Sequence, residues 1–168
     1  DGQYMPGACA PDGAAEVART VGGASSEGEA PDPTGGEYPT GLYRLSSFDM
    51  ILAMAALGPV TLDLDASFIE AAGALYLGED GRFEMDVQGA YNAQFVGGGG
   101  AIRPIAVAFS GTLTATDPAA GLLTLEGDCP AEFERDVPYT YTDGKMTFFL
   151  DFNDMVAGTS MPTFELAE

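Results

Sequence analysis

Apolar and polar residues alternate with period two over much of this chain, the pattern of strands that rest one face on a core. Residues 60–66 put Val60, Leu62, Leu64 and Ala66 on one face and Thr61, Asp63 and Asp65 on the other. Residues 74–77 run into the turn Gly78-Glu79-Asp80-Gly81, after which Phe83, Met85 and Val87 alternate with Glu84, Asp86 and Gln88, predicting a hairpin. Val107, Phe109, Gly111, Leu113 and Ala115 repeat the pattern, Asp117 to Gly121 is turn-like, and residues 122–126 read as the returning strand. Residues 137–142 and 145–152 flank Asp143-Gly144, a pair suited to a type I′ turn, and a short last strand falls near residues 162–166. Together these predict an all-β fold, an antiparallel up-and-down barrel or curved meander of roughly seven to nine strands over residues 41–152.

Two stretches break the alternation. Residues 48–57 are apolar without period two, and Ser47 suits an N-cap, which predicts one short helix near the barrel mouth. That run is shorter than the ~18 apolar residues of a membrane span and lacks the basic face of a surface-bound helix. Residues 1–37 show little periodicity. They read as an extended arm, with about two helical turns over residues 13–20 and a Gly/Ser/Pro/acid-rich linker over 21–36. Residues 38–168 then form the barrel domain. Gly97 to Gly100 has neither the spacing nor the Lys of a phosphate loop and reads as a flexible hairpin tip.

Charge narrows the function. Asp plus Glu number 26 against 6 Lys plus Arg, giving −20, with no His and no Trp. Such a surface repels phosphate backbones, so nucleic acid is not an expected partner. Without imidazole, the usual general base and the commonest nitrogen ligand are both missing. No Ser sits in a nucleophile elbow, and nothing singles out two of the acids as a catalytic pair. A non-enzymatic protein without a cofactor and without catalytic residues is expected. Asp151, Asn153 and Asp154 are weak oxygen-ligand candidates for Ca²⁺, without the spacing of a calcium-binding loop. The sequence starts at Asp1 rather than Met and reads as a mature product after export. Its two cysteines, Cys9 and Cys129, predict one disulfide in an oxidising compartment, hence a secreted, periplasmic or cell-surface protein that does not span a membrane.

Four segments carry a resemblance: Gly41-Leu42-Tyr43-Arg44-Leu45-Ser46-Ser47, residues 75–83, residues 109–113, and residues 139–146. In order and spacing they resemble the small lipocalin-like (calycin-type) domains of secreted bacterial proteins, over residues 40–152, with Tyr43 where the lipocalin signature places Trp. The resemblance implies a barrel with an internal apolar ligand site, or one with no ligand. On the residues themselves, two functions are expected. In one, Phe83, Met85, Phe109, Leu113, Met146, Phe148 and Leu150 line a site for a small apolar molecule. In the other, neighbouring copies assemble into a filament, sheath or surface layer through the arm.

Overall fold

The computed structural model describes residues 4–153 and 157–167, with Leu57 described by its backbone alone. The arm holds one helical turn, α1 (Ala14–Val17), and the short strands β1 (Val21–Gly23) and β2 (Ser25–Glu27). β3 (Gly41–Leu52) and a small hairpin of β4 (Ala56–Leu57) and β5 (Val60–Thr61) follow. The remaining strands are β6 (Phe68–Leu77), β7 (Arg82–Gln94), β8 (Gly100–Asp117), β9 (Leu122–Cys129), β10 (Phe133–Thr142), β11 (Lys145–Phe148), β12 (Leu150–Asn153) and β13 (Ala157–Leu166). Strands β3, β6, β7, β8, β9, β10, β11 and β13 form a ring of eight, every neighbouring pair antiparallel. The fold is thus the expected all-β, up-and-down barrel, which leaves the ring no free lateral edge at its narrow end. We call the end with the Gly78–Gly81 turn lower and the end with the β7–β8 tip upper.

Turn chemistry sets the hairpins. Asp143 and Gly144 both have positive φ, 54° and 78°, as a type I′ turn requires. At the β8–β9 turn the Asp117 carboxylate accepts from Ala120 N at 3.1 Å, and the Asp117 carbonyl accepts from Gly121 N.

The expected helix over residues 48–57 is absent: residues 48–52 belong to β3. Phe48, Met50 and Leu52 face the core, as do Tyr43 and Leu45. The odd spacing from Leu45 to Phe48 comes from a bulge. Leu45 pairs with Phe164 and Ser47 with Thr163, so Ser46 is the extra residue and both halves of the strand keep one apolar face inward. Ile51, on the outer face, pairs with Ser26 of the arm, which is why the run is apolar on both sides.

Residues 60–66 also depart from expectation, since only Val60 and Thr61 are in a strand. Asp63 bends the chain away: its carbonyl accepts from Ala66 N and Ser67 N, and its carboxylate accepts from Ala66 N. Leu62 is held by an isolated bridge to Phe95.

The arm is not a loose linker. Strands β3 and β6 pair directly only from Gly41↔Leu77 to Arg44↔Ala74, and above that they diverge. β1 fills the seam on the β6 side, antiparallel at Val21↔Ala71, and β2 fills it on the β3 side, parallel at Ser25↔Met50. Between them Ala24 accepts from Met50 N and donates its own N–H to Asp49. Gly23 is required here, because a Cβ on it would lie 1.6 Å from the Phe48 carbonyl oxygen.

Before the seam, the arm crosses the outside of the sheet. Cys9 is joined to Cys129 of β9 with sulfurs 2.03 Å apart. Tyr4 Oη and Gly7 N both donate to Asp86, whose residue is only 1% exposed although it lies on the outer face of β7. Asp86 is therefore covered by the arm instead of being a solvated surface acid. Ala14 of α1, the turn that replaces the expected longer helix, is fully buried.

After the seam, the arm passes the outside of β12 and β10 to reach Gly35, which bridges Thr140 in parallel. A Cβ on Gly35, at φ +69°, would lie 1.9 Å from the Pro118 carbonyl oxygen. The arm is a strap around its own barrel.

Candidate functional site

The barrel differs between its halves. In the lower half, Phe83 stacks on Phe109 with centroids 5.5 Å apart and meets Phe148 edge-on at 5.6 Å. Phe148 in turn meets Phe164 edge-on at 5.9 Å. Tyr43 and Tyr139 close the lower mouth. Their hydroxyls donate to the carbonyls of Pro39 and Gly36 at the end of the strap, and Tyr38 packs edge-on against Tyr139. Burial holds the Tyr43 phenol well above its ordinary pKa, with Tyr141 and Tyr38 adding to the effect. Tyr139 is pushed up to about 12, by burial first and then by Tyr38, Asp117 and Glu37.

The residues expected to line a ligand site mostly belong to this filled half. Phe83, Met85, Met146 and Phe148 are fully buried against one another and other core groups. Leu113 lies near the lower rim, in a polar cleft with Glu37 and Tyr38. Phe109 and Leu150 sit higher, beside an opening in the wall.

That opening has a structural cause. β9 ends at Cys129, opposite Ser110, and β10 begins at Phe133, so among the described residues β8 rises above them with no strand paired on that side. Among the described residues, β12 is likewise paired only to β13. Two strands' worth of inward side chains are thus missing from the upper half, and the space they would fill is a cavity of about 180 Å³. Its walls are Phe48, Met50 and Leu52 of β3, Leu62, Tyr91 of β7, Ile105 and Val107 of β8, and Phe152 of β12. Arg103, Pro104, Ala106 and Ser160 complete the lining. The wall opening between β8 and β12 adjoins it, sharing Ala106, Val107, Phe152 and Ser160 and reaching Phe133 and Arg135.

The few polar groups on the cavity's inner surface already have partners. Tyr91 Oη and Ser25 Oγ share a buried bond of 3.0 Å, so the strap positions the one phenol in the wall. Ser160 Oγ donates to the Leu150 carbonyl at 3.1 Å. Arg103 lies opposite Tyr91 on the same face and brings one guanidinium to the lining, and the remaining aliphatic and aromatic walls favour an apolar occupant over water.

Phe48, Met50 and Leu52 fall in the stretch that the sequence predicts as a helix, and Tyr91 lies beyond the alternation that marks the first half of β7. The continuing series Val87, Gly89, Tyr91, Ala93 carries the signal that Tyr91 faces inward. Of the calcium candidates, Asp151 is exposed and accepts from Thr159 Oγ1 at 3.1 Å, Asn153 is exposed, and Asp154 lies outside the described residues. Among the described residues, no three acids or cysteines gather where they could hold a metal ion.

No protein-family model, no curated protein and no solved structure matches the chain.

Proposed function

We propose that the protein is a non-enzymatic, extracytoplasmic barrel that binds a small apolar molecule in its upper half. The observation that carries the reading is the 180 Å³ apolar cavity beside a gap in the wall of a barrel that is otherwise packed. That volume is slightly above the ~150 Å³ apolar cavity known to take benzene and below the ~300 Å³ of ordinary drug sites. A single ring or a short branched chain fits inside, and a longer ligand extends into the gap between β8 and β12. The disulfide supports an oxidising compartment, and no helix among the described residues is long and apolar enough to cross a membrane. The lipocalin-like resemblance points the same way.

The test is titration with N-phenyl-1-naphthylamine, a neutral fluorophore that the acidic surface does not repel. Binding is expected for the native chain, and Val107→Trp, which fills the cavity, is expected to weaken it at least tenfold with Tm changed by only a few degrees. Equal binding by Val107→Trp, or none by the native chain, overturns the reading.

A second reading, assembly of copies through the arm, draws support from the seam between β3 and β6. That seam takes an extended segment, and the same segment from a neighbouring copy would meet the same partners. Cys9 of one copy would then join Cys129 of the next. Non-reducing denaturing electrophoresis decides it: a covalent ladder is expected from exchange, and a single monomer band removes it.

A further inference from the structure

We infer that the upper rim of the barrel docks on a lipid bilayer of neutral headgroups, with the cavity-bearing half of the barrel next to it. This inference rests on the apolar-ligand reading above. Seven large apolar side chains among the described residues are exposed, and five of them, Met54, Val60, Phe68, Val96 and Ile102, lie at this one end. Ile102 is 70% exposed and Val96 63%. They come from separate parts of the chain that converge. Val96 N donates to Thr61 O, joining the β7–β8 tip to the β4–β5 hairpin, and Phe68 and Ile102 both flank Asn92 on the outer face.

The shape favours lipid over a protein partner. A Cβ on Gly58, Gly97, Gly98 or Gly99 would meet nothing within 4 Å, so both hairpin tips stand out into open space. Val60 and Val96, beside these separate tips, need a soft medium that closes around each of them, whereas a protein surface would need a matching pit for each. Charge agrees. Residues 87–116 contain no Asp or Glu in a chain of net charge −20. The acidic remainder of the molecule is repelled by anionic lipid, so the acid-free β7–β8 part of the rim is the face that approaches, and zwitterionic lipid is the surface that admits it. The exposed carboxylates Asp65 and Glu70 lie close to Phe68 in sequence and limit contact to the side-chain tips. Lining residues of the cavity adjoin rim residues along the chain. Ile102 and Pro104 flank the cavity residue Arg103, and Leu62 follows the β5 strand that carries Val60. An apolar ligand concentrated in a bilayer is thus brought next to the half of the barrel that holds the cavity.

The experiment is flotation of the full chain with phosphatidylcholine vesicles, alongside Val96→Asp, Ile102→Asp and, at the lower end, Leu166→Asp. The native chain and Leu166→Asp are expected to float, and each rim variant to lose tenfold or more of its bound fraction. Failure of the native chain to float, or an equal loss in Leu166→Asp, overturns the inference. So does a native dimer in sedimentation that Ile102→Asp dissociates without any flotation, which assigns the patch to a second copy. Titration of N-phenyl-1-naphthylamine without vesicles separates the two readings. Probe binding without flotation defeats docking alone, and flotation without probe binding defeats the cavity alone.

Discussion

Individual residues show where the strap and the barrel constrain each other. Gly23→Ala places a methyl group against the Phe48 carbonyl, at a point where backbone on both sides is paired. A loss of about 1–3 kcal/mol is expected, read as a lower urea midpoint with unchanged m-value. At the lower mouth, the raised tyrosines make stability depend on alkaline pH. A phenol whose folded pKa exceeds its unfolded value near 10 stabilises fully below that value and loses its contribution as pH rises through the folded pKa. For Tyr139 that window runs from the ordinary value of 10.0 to about 12. Urea midpoints are expected to fall across it, and Tyr139→Phe to shallow the fall by close to one proton. Tyr4 behaves in the same sense. Burial raises it first and its bond to Asp86 next, so alkaline solution loosens the arm as well as the mouth.

Among the elements, β7 and β9 are tied across β8 by Arg82, which reaches Asp128 at 2.6 Å, Glu84 at 3.1 Å and Ser110 at 3.2 Å. The bond from Arg82 holds the Asp128 carboxyl below its ordinary range. Its contribution is present above the unfolded carboxylate pKa and disappears as pH falls through the lower folded value. Asp128→Asn is expected to shallow the acid limb of the stability profile. Because the pair is partly exposed, the difference from the native chain is expected to shrink in ~1 M salt. The hairpins of this sheet were legible in the sequence because their turns carry their own chemistry: Asp143-Gly144, Asp117 to Gly121, and Gly78 to Gly81. The upper half of β3, residues 48–52, was not. A bulge at Ser46 and an outer face covered by the arm remove both marks by which a strand is read, clean alternation and one polar side. The cavity was hidden for a related reason. Which inward residues are packed and which line a void depends on where β9 and β10 stop, and residue type alone does not encode that.

At the scale of the molecule, the strap divides the labour of closure: hydrogen bonds seal the seam, tyrosines seal the lower mouth, and the disulfide fixes the start of the path. Reduction is expected to cost about 4–5 kcal/mol in the loop-entropy account. Hydrogen exchange should then rise first over residues 4–27, while β7 and β8 stay protected, because their ladder from Arg82↔Thr112 to Gln94↔Gly100 does not involve the arm. A uniform rise over the whole chain would show instead that arm and barrel open as one unit. The link between Cys9 and Cys129, 120 positions apart, also decides how the molecule answers a mechanical load. Tension on the first residues bypasses the strap and arrives at the end of β9, inside the ring of strands. Stretched between Asp1 and Glu168, the oxidised chain can pay out only residues 1–8 and 130–168, about 160 Å at ~3.4 Å per residue. Everything from Cys9 to Cys129 is a sealed covalent ring that a pull can deform but not lengthen, so oxidation state sets how far the protein extends before it yields.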